Sequence, residues 1–151
     1  MNSEVSFEEN TSELQRLSEV LGWIACENFD LFAFVKKYKF KNLSRFNSGS
    51  TSPFIFINRK LRIVLKIPFT VEVNKIPSYA IPTLMLPRPN EMKLEKYYNN
   101  DRGYSRLVIQ SLGSRRNVFK AYNLLRDKEL VKDAHSGNVA WFNKSPVWID
   151  W

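Results

Sequence analysis

Five of the seven prolines stand between Pro68 and Pro89. Proline removes a backbone donor and clashes with the preceding helical turn, so residues 68–90 do not form a long helix. Regular structure must therefore be assembled from separate pieces on either side of that stretch. At 151 residues the chain suits one small domain rather than two full cores. Apolar residues make up 44% of it and charged residues 25%, enough to bury a core and too apolar for a disordered tail.

Before the prolines, Leu14, Leu17, Leu21 and Ile24 share one helical face. Ser12 and Gln15 have the capping-box spacing, which predicts a helix from near Glu13 to about Glu27. Asp30 is placed to cap a second short helix over Leu31 to Tyr38. The period then changes to that of strands: Asn42 to Phe46, Phe54 to Ile57 and Leu61 to Ile67 read as an antiparallel meander. After the prolines, Lys93 to Tyr98 and Tyr104 to Leu112 flank a turn and predict a second hairpin. Ser114 to Leu130 reads as a helix, and Asn138 to Phe142 and Val147 to Trp151 as a last pair of strands. The expected class is α+β.

Charge divides the chain unevenly. Residues 1–30 hold seven acids and one base, whereas residues 31–151 carry a balance of +14. A basic body with an acidic arm suits an anionic ligand or partner, such as a nucleotide, a nucleic acid or an acidic protein face, and equally suits neutralisation of the body by its own arm. The single cysteine, Cys26, excludes an internal disulfide framework and fits a reducing, cytoplasmic setting. The longest apolar runs fall far short of the roughly 20 residues a membrane helix needs, so no membrane partner is expected. The acidic, polar first residues carry no signal-peptide pattern.

The segment richest in chemistry runs from Val131 to Asn138, with Asp150 following. Asp133 and Asn138 are five residues apart, and Asp150 comes after the strand-like Val147-Trp148-Ile149. A carboxylate on a rigid loop orients a hydroxyl and takes its proton; an amide oxygen and a second carboxylate suit Mg²⁺, a hard ion that prefers oxygen. Singly, each residue has a plainer reading: Asp133 and Asn138 as turn formers, Lys66 as a solvated strand lysine, Asp150 as a strand end. His135 is the only histidine, which excludes a multi-histidine metal site.

In order, these residues resemble the protein kinases and related phosphotransferases, whose catalytic loop has the form H-R-D-x-x-x-x-N and is followed by a metal-binding Asp. Asp-Ala-His-Ser-Gly-Asn is especially similar to the serine/threonine kinases encoded by bacteriophages. Upstream, Arg62 to Ile67 resembles the third kinase strand, with Lys66 as its phosphate-binding lysine. Gly49 and Ser50 stand where that family has its Gly-rich loop, and Leu107 to Gly113, including Gln110, resembles the adenine-binding strand and hinge. The resemblance implies a minimal kinase-like fold: an antiparallel sheet with an N-terminal helix and a strongly reduced helical lobe. Residues 1–41 form the acidic arm and basic connector, and residues 42–151 the nucleotide-binding domain. It implies ATP and Mg²⁺ as cofactors. Asp133 and Lys66 become the catalytic residues; Gly49, Ser50, Lys66 and Gln110 hold nucleotide; Asn138 and Asp150 hold metal.

The chain also departs from that family. Val131 and Lys132 replace the usual His and Arg, and one glycine remains in the phosphate loop. The acidic partner of the strand lysine is not evident: Glu72, Glu91 and Glu95 are poorly placed, and Glu19 or Glu27 of the arm is the remaining choice. With the chain stopping at Trp151, the nucleotide-handling half of a kinase is covered better than the substrate-handling half. Two functions follow from different classes. One is a phosphotransferase acting on Ser or Thr of a host protein; the other is a non-catalytic kinase-like protein that binds and inhibits a host protein through its basic surface. Nucleic-acid binding rests on charge alone and is not favoured.

Overall fold

The computed structural model describes residues 7–26, 31–43, 54–67, 76–87 and 106–151. Two helices open the chain, α1 (Phe7–Cys26) and α2 (Leu31–Lys37). Five strands follow: β1 (Lys41–Asn42), β2 (Phe54–Asn58), β3 (Ile63–Ile67), β4 (Thr83–Pro87) and β5 (Arg106–Ser111). They form one antiparallel sheet in the order β1-β2-β3-β5-β4. Helix α3 (Val118–Arg126), a short 3₁₀ turn at Ser136–Asn138 and the hairpin β6 (Val139–Phe142) and β7 (Ser145–Trp148) complete an α+β fold. No described helix is long and apolar enough to cross a membrane.

Strand β3 organises the molecule. Its side chains alternate between faces, as a pleated strand requires. Ile63, Leu65 and Ile67 are buried on one face, against Leu17, Val20 and Ile24 of α1 and Phe34 of α2. Leu107 and Ile109 of β5 and Phe56 of β2 join the same core. Arg16 and Glu13 tie α1 to the sheet. The Arg16 guanidinium donates to Leu61 O at 2.5 Å and Arg62 O at 3.0 Å, while Ser111 Oγ donates to Glu13 Oε2 at 2.6 Å.

The strand beside β5 differs from the sequence expectation. β5 pairs with Thr83–Pro87, from inside the proline-rich stretch. Proline tolerates an extended edge position, where a missing donor costs no ladder bond, and β4 is the edge of this sheet. The expected partner strand over residues 93–98 lies outside the described residues. Helix α3 is also shorter than Ser114 to Leu130: Asn117 takes a left-handed φ of 50° just before it, and Asp127 caps its end.

The β6–β7 hairpin turns through Asn143 and Lys144, with φ of 48° and 66°. Two consecutive positive φ values mark the turn whose twist matches paired strands. The hairpin is tied back to the sheet at both flanks. Ile81 N donates to Trp148 O and Trp148 N to Tyr79 O, each at 2.9 Å. Ser114 and Trp141 exchange both backbone hydrogen bonds, at 2.8 and 2.9 Å. Gly113 permits this approach, because a Cβ there would stand 2.9 Å from the Ala140 Cβ and 3.0 Å from Trp141 O.

Candidate functional site

The alternation that sends Leu65 into the helical core sends Lys66 to the opposite face. There the end of the β6–β7 hairpin meets the sheet. Lys66 Nζ donates to Ile149 O at 2.7 Å. Gln110, on β5, shares that face and is only 3% exposed. Its amide nitrogen donates to the same carbonyl at 3.0 Å and to Thr83 Oγ1 at 3.2 Å, while Thr83 Oγ1 donates to Ile81 O at 2.7 Å. One backbone carbonyl thus gathers donors from β3 and β5, and Gln110 adds a link to β4.

Burial lowers the Lys66 ammonium to about 8; the Asp150 carboxylate opposes that shift and the Arg115 guanidinium adds to it. Desolvation of a cation outweighs the nearby carboxylate, and the site keeps an amine that is easily deprotonated. Asp150 Oδ1 accepts from Trp151 N at 3.0 Å.

The loop bearing Asp133 and Asn138 reaches the same place through backbone. Ile149 N donates to Asn138 O at 2.8 Å, so Asn138 and Lys66 hold the two sides of one residue. The Asn138 amide donates to Asp133 O at 2.7 Å and to Asp133 Oδ2 at 3.1 Å, which closes the loop between them. His135 braces it: Nδ1 accepts from Gly137 N at 3.0 Å, and Nε2 lies 3.4 Å from Asp133 Oδ2. With Nδ1 accepting, neutral His135 carries its proton on Nε2, facing the carboxylate. The Asp133 side chain is 68% exposed, so its carboxylate remains open to a reactant.

Lys66, Gln110, Asn138 and Asp133 are therefore joined through Ile149, with Asp150 next in the chain. Gly49 and Ser50 lie outside the described residues. Glu19 is not the partner of Lys66: α1 packs on the opposite face of β3, and Glu19 is exposed there. A backbone carbonyl and Asp150 take that place. Glu27, Glu72, Glu91 and Glu95 fall outside the described residues.

Arg115 is the residue that sequence reasoning missed. It donates to Gly137 O at 3.1 Å and, through a short contact, to Val139 O, so it brackets Asn138 from both sides. The adjacent bases Arg115 and Arg116 gave no sign of which one turns inward. The only usable signal was position, directly after the close-packed Gly113.

Asn138 and Asp150 offer oxygen, the donor type that a hard cation prefers. Among the described residues no hydrogen bond reaches Asn138 Oδ1, and the Asp150 carboxylate accepts one only through Oδ1. No three His, Cys, Asp or Glu residues cluster among the described residues, so an ion there would complete its shell with ligand oxygens and water. Set against models of known protein families, curated proteins and solved structures, the chain matches none of them.

Proposed function

We propose that the protein is a kinase-like nucleotide-binding protein that takes Mg·ATP on the Lys66 face, between the sheet and the β6–β7 hairpin. The observation that carries this reading is the gathering of Lys66, Asn138 and Asp150 about Ile149, with the Asp133 carboxylate exposed one hydrogen bond away. Phosphoryl transfer requires charge neutralisation and alignment more than covalent chemistry, and those groups supply both. Lys66 neutralises phosphate oxygens. Asn138 Oδ1 and Asp150 would hold Mg²⁺, which supplies further neutralisation of the phosphates when bound. Asp133 orients the hydroxyl of a Ser or Thr on a host protein of bacteriophage-infected cells. As the new P–O bond forms, the bond between the γ phosphorus and its bridging oxygen breaks, ADP leaves with that electron pair, and the hydroxyl proton passes to Asp133.

A second reading draws on the tie between Lys66 and Ile149 O, which serves a purely structural role equally well. In that case the protein is a non-catalytic relative that binds a host protein through its basic surface. Melting in the presence and absence of Mg·ATP separates the two. At a ligand concentration 100 times Kd, site occupancy adds about 2.7 kcal/mol of stability. Asp150→Asn should remove most of that gain, and transfer of labelled γ-phosphate should disappear in Asp133→Asn. No response of the wild type to Mg·ATP overturns the nucleotide reading. A melting gain without phosphate transfer leaves a nucleotide-binding protein without catalysis.

A further inference from the structure

Where β2 turns into β3, folding gathers cations that are separate in sequence. Lys36 and Lys37 close α2. Lys39 follows with a left-handed φ of 57°, and Lys39 N donates to Lys36 O at 3.2 Å while Phe40 N donates to Val35 O at 2.8 Å. Lys41 then enters the edge strand β1 opposite Ile57 of β2. The Asn58 amide donates to Tyr38 O at 2.7 Å, and Asn58 Oδ1 accepts from Leu61 N at 2.8 Å. The β2–β3 turn, with Arg59 and Lys60, is thereby held against the lysine segment. We propose that this basic end binds the phosphate backbone of a nucleic-acid duplex without reading its bases. The proposal uses none of the residues of the Lys66 site and needs neither ATP nor catalysis.

Three observations specify that partner. The first is charge of one sign. Lys36, Lys37, Lys39, Lys41, Arg59 and Lys60 are all exposed, and segments 36–41 and 59–60 hold no acid. Lys36, Lys39, Lys41, Arg59 and Lys60 make no ion pair among the described residues. Glu13 of α1 is already engaged by Arg16 and Ser111. The last three acids before α2 are Glu19, Glu27 and Asp30, and the six cations outnumber even all of these. A duplex carries one negative charge per about 1.7 Å of its axis, so neighbouring free cations each find a phosphate.

The second observation is the lack of apolar anchors. The large apolar side chains exposed among the described residues are Ile76, Phe119, Leu124 and Leu130, and none belongs to these segments. Protein partners and membrane surfaces are gripped by buried apolar side chains, whereas a duplex backbone needs none. The third is that the rings here are taken. Tyr38 stacks on Trp23 at 5.0 Å with an interplanar angle of 9°, and Lys37 Nζ lies 5.3 Å over the Tyr38 ring. Phe40 packs against Phe34 at 5.9 Å. Single strands are held by bases stacking on free aromatic faces; a duplex keeps its bases stacked on one another and is the better fit.

Fluorescence anisotropy with labelled duplex DNA of mixed sequence tests this, using the full chain without nucleotide. Affinity should fall steeply with salt, and Lys41→Gln and Lys60→Gln should each flatten the logarithmic slope by about 1. The double variant should bind at least about tenfold more weakly at low salt, and equally so on A·T-rich and G·C-rich duplexes. Both side chains are in water, and an unchanged melting curve verifies that the fold is kept. Lys120→Gln, at an exposed lysine of α3 outside the basic end, should leave the slope as it is. The proposal fails if duplex DNA does not bind, if the double variant binds as the wild type does, or if Lys120→Gln costs as much as Lys41→Gln. It fails equally if oligothymidylate binds as tightly as duplex, or if polyglutamate or phosphatidylserine vesicles displace the duplex at equal charge. Mg·ATP melting reads the Lys66 site separately, so an inert nucleotide site and an inert basic end give different results.

Discussion

The two faces of one sheet do different work, and five residues of β3 show the division. On the helix side, Ile63, Leu65 and Ile67 are sealed beneath α1 and α2 in an almost wholly apolar core. On the other side, Lys66 donates to the carbonyl of Ile149, just after the last hairpin, beside the buried amide of Gln110. Alternation along a strand lets adjacent residues belong to separate environments. Apolar packing is concentrated on the odd-numbered side chains, and the polar contact of the strand falls to Lys66 on the other face.

The sharpest way to break that comparison is to exchange which face is damaged. Leu65→Ala leaves a cavity under α1 and should cost about 2–5 kcal/mol, seen as a large fall in melting temperature. Any nucleotide-induced gain in melting temperature should persist in the remaining folded protein. A loss of the nucleotide response equal to that of Asp150→Asn would show that the faces are not independent.

Lys66→Met probes the opposite face, and its signature is pH dependence. Folding lowers this amine from its ordinary value of 10.5 to about 8, chiefly through burial. Between those values the unfolded chain binds more protons than the folded one, so the stability contribution of Lys66 rises with pH across that window. Below about pH 8 both states carry the proton, and the full cost of the buried cation, at most about 3 kcal/mol, is present. Wild-type protein should therefore gain stability relative to Lys66→Met as pH is raised from 8 toward 10.5. Parallel unfolding curves for the two proteins across that range would show that the ammonium is not desolvated.

The contrast between faces also explains what the sequence disclosed. Period is local, so the α1 stripe and the β3 strand were legible in it, although α1 begins at Phe7, ahead of the expected start near Glu13. Edge position is not local. Nothing within Thr83–Pro87 announces that it will border a sheet, and its prolines read as a loop until the neighbour β5 is known. The site divides in the same way. Asp133 and Asn138 bond to each other across five residues, a separation visible in the chain. The inward turn of Arg115 and the role of Ile149 O depend on how the hairpin docks, which no local pattern encodes. The acidic partner of Lys66 is not legible for the same reason: face assignment needs the core, and Glu19 of α1 lies across the sheet from Lys66.

Docking of the hairpin belongs to the Lys66 face, and Gly113 tests it. A methyl group there would meet the Ala140 Cβ at 2.9 Å and a backbone oxygen at 3.0 Å, neither of which is the far end of a flexible side chain. Gly113→Ala should push β6 from the sheet and cost about 1–3 kcal/mol. Because Ile149 moves with that hairpin, the nucleotide response should weaken along with stability, unlike in Leu65→Ala. Denaturant unfolding measured beside nucleotide melting checks both effects.

The smallest expected effect is also the cleanest control, because it alters a polar group on the apolar face. Glu13 is partly buried, which raises its pKa, but hydrogen bonds from Arg16 and Ser111 outweigh burial and hold the carboxyl below its ordinary 4.5. A carboxyl lowered on folding stabilises fully above its unfolded value, and loses that contribution as pH falls through the folded one. Glu13→Gln keeps the shape and removes the charge, so it should cost about 1 kcal/mol near neutral pH. The gap from wild type should close in acid, below the ordinary carboxylate range, where the wild-type carboxyl is itself protonated. Since Glu13 reaches Ser111 and Arg16 on the helix side, Glu13→Gln should leave the Lys66 titration and any nucleotide response untouched. A change in either would mean that α1 communicates through the sheet, and that the strand separates its two faces less completely than its alternation implies.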